Sequence, residues 1–351
     1  MFVRNRLNTL NRRSLRVLLS LCLFWLFANS NSHDNHISEE IVDWKLPPDS
    51  LLQLYDSVQE QTHKISKKCK TFIAFTVSVE SSISERHHLA LHGPNIEHIG
   101  CAVFILLHNL FESQNSDKNT TVTGISVEQV KTILSERGWI VISDYVNVPF
   151  GFDRRLSRYP KLNPRVFFPF TETILYADTK ILLELKQVKL EAISSILLQG
   201  GASFGIVQHE HSSSLMHEVE RIRDRYSTRP LTQSLPVLEI QLSRMLATIP
   251  EYYQQMAGIE GKLFASRFAS YVGNNGFHRV WLDEYSQGSD RDQIAFYGAF
   301  FRYRLKRKDK FPCNQHDRAG SYVSQVDPKF TMNILCSYRQ VIGSAGNKGL
   351  K

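Results

Sequence analysis

From Lys70 onward, short apolar runs alternate with longer stretches of helical periodicity, and that alternation restricts the chain to an α/β architecture. Residues 71–79, 101–107, 139–145 and 173–177 are rich in β-branched and aromatic side chains and are the expected strands. Residues 126–137, 182–198, 215–225, 233–256 and 291–305 carry the helical pattern. Elements taking turns in this way predict a mostly parallel sheet flanked by helices, with ligands gathering at the carboxyl ends of the strands. The 351 residues, 42% of them apolar, suffice for one large domain with a buried core. The sequence holds no internal repeat, heptad array or Walker-type glycine loop.

Ahead of this domain, Arg4, Arg6, Arg12, Arg13 and Arg16 precede residues 17–28, in which Ser20 is the only polar side chain. A cationic stretch before an apolar one is a secretory targeting segment. Twelve helical residues reach only ~18 Å against a hydrocarbon core of ~30 Å, so anchoring and cleavage both stay open. Ala28 and Ser30 have small-x-small spacing for cleavage, whereas the arginines would hold an uncleaved anchor with its N-terminus in the cytosol. The expected organisation is a cytosolic tail with signal anchor (or a signal peptide) at 1–30, a stem at 31–68, the folded domain at 69–343 and a flexible tail at 344–351. Those five arginines make up most of the net charge of +8, so the folded part is only mildly basic. Its one dense cationic run, 302–310, does not amount to a nucleic-acid surface.

Two features agree with passage into an oxidising lumen. Asn119, Thr120 and Thr121 form an N-glycosylation sequon within the polar stretch 113–121. With Cys22 in the targeting segment, Cys69, Cys101, Cys313 and Cys336 remain, an even set allowing three pairings and lacking any C-x-x-C. One or two disulfides are expected, and the pairs to test are Cys69 with Cys101 and Cys313 with Cys336.

Chemistry-bearing residues fall into two groups. The run 173–180 is an apolar strand ending in Asp178, with Lys180 two residues on. An acid at a strand end can hold a divalent ion or a hydroxyl, and a lysine beside it can meet a diphosphate as a point charge. An ordinary strand-to-turn aspartate explains the same residue. The second group is Asp283 and Glu284 after Trp281, then Asp290, Arg291, Asp292 and Gln293 at the start of an apolar helix. A carboxylate general base is available by residue type in Asp283, Glu284 or Asp292, while Asp290 with Gln293 also fits a helix capping box.

In order and spacing, Trp139, Arg158 with Lys161, Phe168–Pro169, Asp178-Thr-Lys180, His209, Trp281 with Glu284, and Arg291-Asp292-Gln293 resemble the glycosyltransferase-like domain of the plant turgor-regulation and mucilage-related family. The departures are Thr179 in place of the usual glycine and the lack of the arginine that commonly follows the family's histidine. The resemblance implies a nucleotide-diphospho-sugar transferase fold of the A type in a single-pass type II protein of the Golgi membrane, or a secreted one after signal cleavage. It further implies a nucleotide-sugar donor as co-substrate, a glycan or glycoconjugate acceptor, and Mn²⁺ or Mg²⁺ as the expected ion. On this basis Arg158, Lys161, Asp178, Lys180, Arg291 and Gln293 would bind the donor and Asp178 with His316 would serve the metal. Asp292 or Glu284 would act on the acceptor.

Two other constellations compete. Gly201-Ala-Ser203-Phe-Gly205 matches a nucleophile-elbow string, which would suit a ceramide-type amide hydrolase acting on a membrane lipid, an activity ascribed to some members of that family. A helix before the glycines and a strand at 206–207 favour a glycine helix cap instead. His209, His211 and His217 permit zinc but lack a metalloprotease helix motif. A transferase-like domain that binds glycans without turnover is the third reading.

Overall fold

The computed structural model describes residues 55–80, 101–109, 125–146, 153–182, 189–209, 214–227, 235–256, 258–268, 272–288, 291–311 and 319–349. The apolar runs become strands β1 (Phe72–Glu80), β2 (Ala102–Asn109), β3 (Ile140–Val146) and β4 (Thr173–Ala177), followed by β5 (Phe204–Gln208), β6 (Ile259–Arg267), β7 (Leu305–Lys310), β8 (Gly320–Ser324) and β9 (Thr331–Leu335). The helices are α1 (Asp56–Lys68), α2 (Val127–Glu136), α3 (Asp153–Leu162), α4 (Pro164–Phe167), α5 (Thr179–Leu182) and α6 (Leu190–Leu197), then α7 (Leu215–Ser227), α8 (Leu235–Thr248), α9 (Glu251–Gln254), α10 (Val272–Ser286), α11 (Asp292–Arg302) and α12 (Tyr338–Gly349).

All nine strands join one sheet in the order β3-β2-β1-β4-β6-β5-β9-β8-β7. β1 to β4 are mutually parallel and β9 runs parallel to β5. β6 lies antiparallel between β4 and β5, and β7, β8 and β9 form an antiparallel meander. The sheet is therefore mixed, which corrects the expectation of a mostly parallel one. β2 is buried along its whole length, as strands covered on both faces must be, and that is why it reads as an unbroken apolar run. β7 has only Leu305 buried and ends the sheet with a charged edge, so no apolar pattern announced it.

Ala74, Phe104, Leu106, Leu175 and Ala177 face α2, α6 and α12 through Leu134, Leu190, Ile193, Val341 and Ala345. The opposite face is aromatic: Phe75 meets Phe168 at 5.1 Å between centroids, Tyr176 stacks on Phe264 at 5.3 Å, and Phe204 meets Phe277 at 5.3 Å. Helix boundaries differ from expectation at proline and turn positions. The expected helix 233–256 breaks at Pro250, because the residue before a proline is pushed out of helical geometry. The expected helix 182–198 is helical over Leu190–Leu197, and 183–188 lie outside the described residues. α11 ends at Arg302, and Arg304 at φ 47° turns the chain into β7. Gly200 and Gly201, at φ 67° and 79°, turn the chain from α6 into β5. Helix, turn and strand in that order reverse what a nucleophile elbow needs, and the lipid-hydrolase reading loses its local support.

Two expected boundaries also move. The end of the expected stem is α1, whose preceding residue Tyr55 stacks on Tyr159 at 5.5 Å and meets Phe167 at 5.4 Å. The expected tail from 344 lies within α12, where Ala345 is buried in the core. Tyr55 also completes α3. Pro160 lacks the N–H that would bond the Leu156 carbonyl, and the Tyr55 hydroxyl donates to that oxygen at 2.5 Å. Tyr55→Phe should therefore cost about 1–3 kcal/mol, read by urea unfolding, because it orphans a buried carbonyl. A cost near zero would mean that the carbonyl finds another donor.

Cys69 and Cys101 are joined, linking the start of β1 to the start of β2. Cys336 is also disulfide-bonded. Cys313, its expected partner, lies outside the described residues, as do Asn119, His211, Asp290, His316 and the N-terminal segment. Among the described residues, no helix is long and apolar enough to cross a membrane.

Candidate active site

From β1 the sheet grows one way through β2 to β3 and the other way to β4. Connections diverging in this manner open a crevice at the carboxyl ends of β1 and β4, where α/β sheets bind their ligands. Asp178 stands at the β4 side of this switch point. Its N–H donates to Lys262 O at 2.8 Å, and its Oδ1 accepts the Lys180 N–H at 3.1 Å, which starts α5 and leaves Lys180 exposed.

Beneath Asp178 is a buried charge cluster. Arg158 and Lys161, three residues apart on α3, both turn towards Asp292, the first residue of α11. Lys161 Nζ donates to Asp292 Oδ2, and Arg158 Nε lies 3.4 Å from Oδ1. The Asp292 carbonyl accepts the Trp281 indole N–H at 2.8 Å, and Lys161 Nζ sits 5.2 Å from the Tyr176 ring centre. Only a glycine fits on the adjoining strand, because a Cβ at Gly261 would lie 2.6 Å from Asp292 Oδ2 and 2.9 Å from Lys161 Nζ.

Electrostatics follow from this packing. Burial alone would raise the Asp292 carboxyl, but the Lys161 and Arg158 charges overcome it and hold the group well below the ordinary carboxylate range. Burial, reinforced by repulsion from Arg158, pulls the Lys161 ammonium down to about 8 despite its attraction to Asp292. Asp292 is thus a sealed, weakly basic carboxylate with 2% exposure, paired with Lys161 and Arg158. Lys161, whose side chain is 3% exposed, is committed to the same pair, whereas the Arg158 side chain is 21% exposed.

Glu284 is also engaged in ion pairs. Its carboxylate accepts from Arg244 at 2.8 Å and Arg302 at 3.3 Å and lies over Gly298, where a Cβ would come within 2.5 Å of Oε2. It ties α8, α10 and α11 together. Arg291 is the residue preceding α11 and makes no side-chain cap; it and Gln293 flank Asp292, both partly buried. Asp290, the expected capping-box partner of Gln293, lies outside the described residues.

A histidine locks the cluster from behind. His278 Nδ1 donates to Leu162 O at 3.2 Å, and Nε2 accepts the Ser266 hydroxyl at 2.7 Å, tying α3 to β6 through α10. Burial keeps it neutral, its pKa pushed down to about 3. Because the unfolded chain takes up this proton first, near its ordinary pKa of about 6.5, stability is full above that pH and falls below it, by up to about 1.4 kcal/mol per pH unit. Urea unfolding between pH 7 and 5 should show this slope, and His278→Gln should flatten it. An unchanged slope in the variant would assign the pH dependence elsewhere.

The sequence reading missed the other side of the crevice. Its strands stopped at Val79 and Leu107, one residue short of Glu80 and His108, which the structure places side by side at the ends of β1 and β2. Gln208 at the end of β5 was also missed, and its buried amide has no hydrogen bond among the described residues. The usable signal was the same polar strand end that singled out Asp178.

A family model described as TOD1/MUCI70, glycosyltransferase-like domain, matches residues 77–319, from within β1 to just before β8. The chain belongs to this TOD1/MUCI70 family. The matched span contains both sides of the crevice and the Asp292 cluster, so the TOD1/MUCI70 glycosyltransferase-like domain is the part of the chain that builds the site. No curated protein matches the chain. Zinc at His209 has little support: His209 packs against Arg221 at 3.2 Å, and among the described residues no group of three or more His, Cys, Asp and Glu could hold a metal ion.

Proposed function

We propose that the domain transfers a sugar from a nucleotide-sugar donor to a glycan or glycoconjugate acceptor, in the Golgi lumen and on a type II membrane anchor. Asp178 at the switch point, with Arg158 close enough to feel its charge and the exposed Lys180 two residues on, carries this reading, because an acid beside cations suits a sugar diphosphate. Arg158 and Lys180 hold the diphosphate and offset the negative charge that grows on the leaving nucleoside diphosphate. Asp178, half-buried, accepts a hydroxyl of the transferred sugar and orients its anomeric carbon. Asp292 and Lys161 act through Arg158, fixing its height at the crevice floor. The lumenal placement is supported by the arginine-flanked apolar segment, the Asn119 sequon and the oxidised cysteines.

The described residues do not fit a divalent-ion centre. Asp178 has Lys180 where a second acid would complete the site and Arg158 nearby, and His316 lies outside the described residues. No step is routed through a metal. Thermal shift of the full chain with a panel of UDP- and GDP-sugars tests the proposal. At a donor concentration one hundred times its dissociation constant the gain is about 2.7 kcal/mol, with or without EDTA. No shift with any donor would remove the basis for transfer.

A further inference from the structure

We propose that Glu80, His108 and Tyr145 form the nucleoside subsite of the crevice, in which Glu80 receives a pair of adjacent hydrogen-bond donors and Tyr145 stacks on the base. This rests on the transfer reading above and extends it to the far end of the donor. The three residues stand in one row: Glu80 pairs in register with His108, and His108 with Tyr145, so their side chains leave the same face at the carboxyl ends of β1, β2 and β3. The Glu80 carboxylate lies 3.4 Å from His108 Nδ1, and the His108 ring is 5.4 Å from that of Tyr145.

Glu80 and His108 are each only 4% exposed, yet among the described residues neither carboxylate oxygen of Glu80 and not the Nε2 of His108 has a hydrogen-bond partner. Thr76 Oγ1, four residues back on the same face of β1, is buried and unpartnered there too. Buried polar atoms are almost always satisfied, and a carboxylate left without donors is among the costliest exceptions. Such a cost is retained where a ligand supplies the missing partners. At the outer end of the row Tyr145 is 56% exposed, an aromatic platform open to solvent beside a buried acceptor pair.

The position suits a nucleoside. Phe75 pairs with Tyr176, so Val77 comes level with Asp178, and Glu80 lies three residues, about 10 Å, further along the strand and on the other face, so that a ligand reaching both crosses the carboxyl edge of the sheet at the switch point. That is the interval a diphosphate spans between the nucleoside and the transferred sugar. Two chemistries present adjacent donors to a carboxylate: the 2′,3′-diol of ribose and the N–H edge of guanine.

Calorimetric titration of UDP, 2′-deoxy-UDP and GDP into the full chain and into Glu80→Gln and Tyr145→Ala decides the matter. Glu80→Gln should weaken nucleotide binding at least tenfold while leaving the melting temperature equal or higher, since it removes a buried charge that no hydrogen bond satisfies. Tyr145→Ala should weaken UDP and GDP alike. If the diol is the ligand, UDP and GDP both bind and 2′-deoxy-UDP shows the Glu80→Gln loss already in the wild type; if guanine is, GDP alone binds tightly. Wild-type affinity for all nucleotides in both variants would overturn the subsite and leave the transfer reading standing. Failure of the wild type to bind any nucleotide would overturn both.

Discussion

Asp292→Asn should destabilise the domain by about 3–5 kcal/mol, because it removes the buried negative charge that is ion-paired with both the Lys161 ammonium and the Arg158 guanidinium. The amide keeps the shape of the carboxylate, so lost packing cannot explain the cost. Lys161→Met alone should cost less, since Arg158 still faces the carboxylate, and the double variant should recover part of the loss. A general base would behave differently, leaving a fully stable protein with lowered turnover. Guanidinium unfolding of the two single variants and the double variant separates the cases. Stability of Asp292→Asn within about 0.5 kcal/mol of the wild type would return Asp292 to the catalytic role that its sequence context suggested.

Asp178→Asn should do the reverse, lowering turnover by about 100- to 1000-fold in a protein that folds normally, as expected when one preorganised polar contact to a reacting substrate is lost. The side chain lies at a strand end, and the position is held largely by its backbone N–H to Lys262, which asparagine retains. Asparagine also preserves the acceptor for the Lys180 N–H, so α5 should start unchanged. Steady-state kinetics with a nucleotide-sugar donor, set beside circular dichroism of the same sample, provide the check. A variant with full activity would reduce Asp178 to a turn residue.

These two aspartates show where sequence reasoning reaches and where it stops. Asp178 was legible because a strand end is a local feature, and the apolar run Thr173–Ala177 marks it without reference to the rest of the fold. Asp292 looked equally functional, standing among acids at a helix start. Its fate was decided by Lys161, 131 residues away, and by the missing side chain at Gly261, neither of which local pattern can connect to it. The partners of Glu284 were hidden for the same reason, since Arg244 and Arg302 reach it from two other helices.

β2 and β4 were visible because they are buried along nearly their whole length and almost entirely apolar. β6 escaped notice because Gly261 and Lys262 interrupt its apolar pattern where the bulge against β5 occurs. β7 escaped because an edge strand can be charged along most of its length. α1 read as stem since its buried residues include Thr62 and Ser66, whose small hydroxyls bond back to the helix's own carbonyls at Gln59 and His63.

The central claim is that the crevice between β1 and β4 binds a nucleotide-sugar through Asp178, Arg158 and Lys180. Its most direct test is calorimetric titration of the donor that gives the largest thermal shift into the wild-type full chain and into an Arg158→Met/Lys180→Met variant, both in EDTA. The account predicts saturable binding by the wild type and at least a tenfold loss in the variant, about 1.4 kcal/mol or more of binding free energy. Equal affinity in the two proteins, or binding by the wild type that disappears in EDTA, would contradict it.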